Sequence, residues 1–252
     1  MLDWVFNKWV NLKVLVGIMW YSKYNKKNIL LLSICIYMAS KKKLYYYYYL
    51  VIDLEGSSSQ NIPLDIQIEK LEKLRLCVNK ILNPKSERLL QHHQKKVRYI
   101  NSTGDGYFII FDIGEDALKF SIDLHKYLNL HNRKIRNDKI YSSKEIESKT
   151  IIVNTGISCG ISKPIKQIDG QIAYWGSDVI LAHRIVEFAK GGYILCSSDV
   201  YKNMKNNNFG EFIDLKYSTN FKHNLKTDVY LFYNKEDKEK FENINIHLLR
   251  WK

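Results

Sequence analysis

Two aspartates about fifty residues apart could do chemistry together. Asp53 closes a run rich in aromatic and β-branched residues, Tyr45 to Ile52, and is followed by Leu54-Glu-Gly-Ser-Ser-Ser59. Asp105 sits in a Gly-Asp-Gly turn between two further β-prone runs, within Tyr99–Phe111. Each taken alone is equally a turn residue that satisfies backbone amides. Together, at the ends of strands that could be neighbours, they offer oxygen ligands to a hard divalent cation such as Mg²⁺, which prefers carboxylate and substrate phosphate.

The elements that must position them are legible from pattern. Tyr45–Ile52 reads as a buried central strand, and Tyr99–Phe111 as a hairpin with Asp105 at its tip. A helix is expected from Pro63, with Leu64, Ile68, Leu71, Leu74, Val78, Ile81 and Leu82 on one face and a stop at Asn83-Pro84. Asp116–Leu130 repeats the pattern through Ala117, Phe120, Leu124 and Leu128. The polar segment Asn132–Lys149 is expected as an exposed loop. Thr150–Ser158 reads as another buried strand, and Ile161–Ala173, with Pro164 and Asp169-Gly170, as a hairpin or arm. Gly176–Lys190 reads as a helix with Ser177 as N-cap and Gly191-Gly192 as its stop. A short strand at Tyr193–Cys196, a short helix at Ser197–Met204 and a last strand at Asp228–Tyr233 follow. The expected class is α/β, an α+β sandwich with one mixed sheet and helices on one face, built on a β-α-β-β-α-β unit.

Composition sets the outer bounds. An apolar content of 46% over 252 residues can bury a real core. Of the net charge of +13, residues 1–45 carry +7, as eight lysines against Asp3. That segment contains two short apolar runs, Val14–Trp20 and Ile29–Met38, where a spanning helix needs about 20 residues. It reads as a basic extension, 1–42, disordered or lying on a membrane surface; a secretory signal lacks an A-x-A-like site, and a translation start at Met38 is the alternative. Excess charge concentrated outside the motifs, with no recognisable binding module, argues against nucleic acid as a partner. Cys35, Cys77, Cys159 and Cys196 form no C-x-x-C pair and read as reduced, buried residues of a cytoplasmic protein. His92-His93 is not part of an H-E-x-x-H motif, so zinc has no support.

Four blocks in order carry a family resemblance: Asp53-Leu-Glu-Gly-Ser-Ser58, Gly104-Asp-Gly106, Asn154-Thr-Gly-Ile-Ser-Cys-Gly160, and Gly176 through Ala182-His-Arg184 to Ala189-Lys-Gly-Gly-Tyr-Ile-Leu-Cys-Ser197. The chain resembles a class III nucleotidyl cyclase catalytic domain over roughly Lys43–Tyr233, leaving 235–252 as a charged tail. The resemblance implies a ferredoxin-like palm. It also implies conversion of a nucleoside triphosphate into a 3′,5′-cyclic nucleotide and pyrophosphate, at sites between two copies of the chain, with two divalent ions (Mn²⁺ or Mg²⁺) per site. Asp53, Leu54 and Asp105 stand at its metal positions, and Gly56, Ser57 and Ser58 at its phosphate loop. Arg184 matches the arginine that stabilises the transferring phosphate from the partner subunit. Lys222 or Lys226 matches a phosphate-binding lysine.

Two departures from the family pattern stand out. The position of its transition-state asparagine, four residues before Arg184, is Ile180, which cannot hydrogen-bond a nucleotide. The two base-reading positions hold Asn101 and Ala173, matching neither the adenine nor the guanine code. Asn101 offers both a donor and an acceptor to a base edge, while Ala173 leaves space. This pattern is similar to the small stand-alone pyrimidine cyclases of bacterial antiphage defence, which make cyclic UMP or cyclic CMP for a separate effector protein. The competing expectation is a catalytically degenerate module that binds a nucleotide or signals by dimerisation.

Overall fold

A computed structural model describes residues 46–57, 59, 61–82, 97–221 and 225–237. Strand β1 (Tyr46–Leu54) is its centre, buried on both faces. Leu50, Ile52 and Leu54 pack on one side with the helices that follow, and Tyr47, Tyr49 and Val51 on the other. A run with no polar face can only be a central strand, and both its neighbours pair with it antiparallel.

The chain then runs through α1 (Leu64–Leu82), β2 (Val97–Ser102), β3 (Gly106–Phe111), α2 (Gly114–Asn137), α3 (Ser143–Lys149) and β4 (Val153–Ile161). An arm of β5 (Lys163–Lys166) and β6 (Ile172–Trp175) follows, then α4 (Ser177–Phe188), β7 (Ile194–Ser197), α5 (Ser198–Met204), β8 (Gly210–Phe221) and β9 (Leu225–Asn234). The main sheet has the order β2-β3-β1-β4-β7-β9-β8, and β4–β7 is its one parallel pair. The first four strands with α1 and α2 are the expected βαββαβ unit, with both helices on the Leu50–Ile52 face.

The next helix departs from a one-faced arrangement. Val179, Ala182 and Val186 of α4 cover the opposite face, against Tyr47, Tyr49 and Phe108. Its other flank, Leu181, Ile185 and Ala189, packs on Leu195, Val229 and Leu231. Close approach explains the placement: a Cβ at Gly156 of β4 would meet the main chain of α4 at Val186 N (2.5 Å) and Ala182 O (2.6 Å).

Other differences have local causes. Leu64 and Ile68 are exposed, because the first turn of α1 precedes its buried stripe of Lys70, Leu74, Cys77, Val78 and Ile81. The polar segment 132–149 is not a loop. Helix α2 continues to Asn137, with Asn132 exchanging hydrogen bonds with the Ile151 main chain at 2.8 and 2.9 Å. A capping box between Ser142 and Glu145 then starts α3. Gly176, not Ser177, stands at the cap of α4. Strand β8 lies at the sheet edge, where residues 211–214 are half-buried and carry a weaker apolar pattern than a core strand. Cys77, Cys159 and Cys196 are buried and free, as expected. The N-terminal extension, Cys35, His92-His93, Ser58, Lys222 and the tail beyond Asp237 lie outside the described residues.

Gly106 is the tightest point of the sheet. A Cβ there would collide with the Ile52 carbonyl of β1, which is backbone and cannot swing aside. Gly106→Ala is therefore expected to destabilise the domain by about 1–3 kcal/mol, the usual cost of overpacking. Urea unfolding monitored by circular dichroism reads the drop in midpoint.

Candidate active site

The β1–β3 register sets Asp53 opposite Gly106, so Asp105 is one residue from the partner of Asp53. The Leu54 amide donates to the Asp105 carbonyl at 3.1 Å, fixing the hairpin tip against the end of β1. Beyond Leu54 the chain turns at once, with the Ser57 amide donating to the Leu54 carbonyl at 3.2 Å. Gly56 takes a positive φ of 73°, which a glycine adopts without strain. The turn brings the Ser57 hydroxyl to the Asp105 carboxylate, a bond of 2.6 Å to Oδ2.

Electrostatics marks the same spot. Burial, then the charges of Asp105, Glu55 and Glu187, push the half-buried Asp53 carboxyl up to about 6. Carboxylates held together without a counter-charge are what a divalent cation would relieve. Among the described residues no three His, Cys, Asp or Glu side chains converge. The donor set is thus two carboxylates, supplemented by the Leu54 carbonyl, whose second lone pair is free of the Ser57 bond. So sparse a set suits a hard ion that completes its shell with water and phosphate oxygen.

The remaining candidates lie on α4, β2, the arm and β9. Arg184 is half-buried; its Nη1 donates to Glu187 Oε1 at 2.6 Å, and its Nε is buried with no acceptor among the described residues. No ion pair joins it to Asp53 or Asp105. Ile180, one turn earlier, is 37% exposed. Asn101 is exposed on β2, directly across from Phe108 of β3. Ala173 is half-buried on β6, opposite Ile165 of the arm. Lys226 is exposed on β9.

Sequence reasoning missed an aromatic cluster between these positions. Tyr99, two residues before Asn101, meets Tyr174 at 5.2 Å between ring centroids and Phe108 at 6.0 Å. His183 lies against Phe108 at 5.5 Å. The signal was only period-two alternation, which puts Tyr99 and Asn101 on one face. It also missed a brace: Glu55 Oε2 accepts the Gly191 amide at 2.8 Å, and Asn154 Oδ1 the Gly192 amide at 3.2 Å. The acidic turn is thereby tied to the loop that ends α4. A cavity of about 330 Å³ lies under that loop but is lined by none of the candidate residues. Three of its polar groups are already engaged, His125 with Thr155, Asn132 with Ile151 and Lys126 with Glu236.

The model of the adenylate and guanylate cyclase catalytic domain matches residues 67–232. The chain belongs to that family. Solved structures agree in fold. The adenylyl cyclase CyaB from P. aeruginosa superposes with a TM-score of 0.58 at 16% identity, covering 75% of this chain and 94% of that one. The guanylate cyclase domain of RhGC from Catenaria anguillulae, solved in complex with GTP, gives 0.55 at 17% identity, covering 76% and 97%. A dimeric guanylyl cyclase domain of RhoGC from Blastocladiella emersonii gives 0.54 at 17%, covering 75% and 97%. No curated protein matches the chain by sequence. Among the described residues no helix is long and apolar enough to cross a membrane.

The raised Asp53 carboxyl makes this cyclase domain less stable at neutral pH. A folded-state value near 6 against an ordinary value of 3.8 means the native state holds the proton more tightly. Stability therefore falls as pH rises through that window, and the full cost stands above it. In metal-free protein at pH 7.5, Asp53→Asn is expected to gain about 1–2 kcal/mol after allowing for solvent screening. Urea denaturation should show that gain shrinking as pH is lowered toward 4.

Proposed function

We propose that the chain is a nucleotidyl cyclase that converts a nucleoside triphosphate into its 3′,5′-cyclic nucleotide and pyrophosphate. The observation that carries this is the Asp53–Asp105 pair, braced by the main chain and by Ser57, with burial first and the neighbouring carboxylates second pushing the Asp53 carboxyl up to about 6. Asp53, Asp105 and the Leu54 carbonyl would hold two divalent ions, Mn²⁺ or Mg²⁺, which when bound lower the charge barrier between the ribose 3′-oxygen and the phosphates. The 3′-oxygen bonds to the α-phosphorus as the bond to the bridging oxygen breaks. The hydroxyl proton leaves to water and pyrophosphate is released.

The Gly56–Ser58 loop would receive the phosphates through its main-chain amides, that of Ser57 on leaving the Leu54 carbonyl, with Lys222 or Lys226 adding charge. Arg184 suits the charge that develops at the α-phosphate: its fork is under-satisfied, and a phosphate accepts two of its donors in plane. Among the described residues its ion pair is with Glu187 and with no aspartate, which supports service to a second copy in a homodimer. The exposed apolar set Ile161, Ile165, Ile172, Trp175 and Ile180, on β4, the arm and α4, supports a partner on that side.

The base is read as a pyrimidine, UTP or CTP. Neither purine code is present at Asn101 and Ala173, and Asn101 can donate and accept at once. The rings of Tyr99 and Tyr174 crowd the same face and favour one ring over two. The role inferred is synthesis of a second messenger in antiphage defence, in the cytoplasm, for a separate effector. Ile180 favours one second reading, a module that binds nucleotide without turning it over.

Incubation of the purified chain with ATP, GTP, CTP and UTP in Mn²⁺, with products read by mass spectrometry, separates the readings. Cyclic UMP or cyclic CMP is expected, and Asp53→Ala is expected to lower turnover by roughly two orders of magnitude or more while the fold survives. No cyclic product from any of the four, with nucleotide still bound, selects the binding module.

A further inference from the structure

The face of α4 that would meet the nucleotide has lost one polar group and holds another. Ile180 is apolar and cannot orient a sugar or phosphate. Three residues on, His183 flanks it on the same side of the helix. The imidazole lies on the Phe108 ring at 5.5 Å with the two planes 33° apart, so its direction is set by packing. It makes no hydrogen bond to any described residue, and neither of its nitrogens is a buried orphan, so both reach solvent. Burial, chiefly, lowers its affinity for a proton. A neutral ring carries one donor and one acceptor.

Its neighbours give it a position along the substrate. Phe108, on which it rests, pairs across the sheet with Asn101, the base-reading position. The next residue along α4 is Arg184, the phosphate-charge position. Between a base and its phosphates lies the ribose. We propose that His183 hydrogen-bonds the ribose of the bound nucleotide, through its 2′-hydroxyl, and so supplies the orienting contact that Ile180 cannot. The 2′-hydroxyl is the sugar hydroxyl that the reaction leaves intact, and a side chain with both a donor and an acceptor can hold it before and after cyclisation. This inference rests on the nucleotide reading above, and it gives a role to a residue that stands inside the motif block without one.

The test pairs two variants with two ligands. His183→Phe keeps a ring against Phe108 and removes the polar atoms, whereas His183→Gln restores a donor and an acceptor. Affinities of the full chain for UTP and 2′-deoxy-UTP are measured calorimetrically in Ca²⁺, and kcat and KM in Mn²⁺; if the product assay selects another base, its ribo and 2′-deoxy forms are used. The wild type is expected to prefer the ribonucleotide. His183→Phe should weaken binding of the ribonucleotide roughly 10-fold, on the order expected for one hydrogen bond, and leave the 2′-deoxy form within about 3-fold. His183→Gln should recover most of the difference. Unchanged ribonucleotide affinity in His183→Phe, or an equal loss on both ligands, overturns the assignment. A wild type that binds the ribonucleotide through His183 without turning it over refutes cyclase activity and leaves the contact standing. A wild type that binds neither ligand overturns both.

Discussion

Everything at the candidate site depends on how closely β3 can approach β1. Strand β1 ends in Asp53, and the hairpin tip that carries Asp105 is pinned to it by the Leu54 amide. That contact requires Gly106 opposite Asp53, because any side chain there would strike the Ile52 carbonyl. The pairing thus holds two carboxylates against their mutual repulsion. The apolar strands on either side supply the free energy, since Leu50, Ile52, Ile109 and Phe111 are all buried in one core. A site that costs stability is carried by a sheet with stability to spare.

The same logic extends to α4. It crosses the sheet face away from α1 and α2, seated on β4 where a glycine removes the side chain between them. Its N-terminus is fastened by the Ser158 hydroxyl to the Asp178 carbonyl and by the Ile161 amide to the Asp178 carboxylate at 3.3 Å. Its C-terminal loop is fastened to Glu55, two residues beyond Asp53. The helix bearing Arg184 and the turn that follows Asp53 are therefore coupled through the main chain of Gly191. Movement of one strains a bond to the other.

This division explains what could be read from the sequence. Asp53 and Asp105 were legible because strand, turn and strand leave strong local marks: a doubly buried apolar run, then Gly-Asp-Gly. The helix α4 and its arm were legible for the same reason. Which face α4 covers was not, because an apolar stripe says that a helix packs but not on which side of a sheet. The length of α2 was missed because Asn132, a polar residue, is buried through two bonds to Ile151, and nothing local announces a partner nineteen residues away. The capping box at Ser142 and Glu145 was written in the sequence and was overridden by the polarity around it. Tyr99, Tyr174 and His183 were invisible as a group, since only the sheet register and the path of the arm bring them together.

The exchange of roles on α4 follows from its surroundings. Ile180 is one of several exposed apolar side chains on β4, the arm and α4, with Ile161, Ile165, Ile172 and Trp175. A polar group is better placed one turn along, where the Phe108 ring supports one face of an imidazole and solvent reaches its nitrogens. There the side chain loses little entropy on binding, because packing has already chosen its rotamer. With an isoleucine at 180, the hydrogen-bonding task proposed above falls to the residue beside Arg184. The helix keeps its cation at the family position, Arg184, and carries its neutral hydrogen-bonding group at position 183 instead of 180.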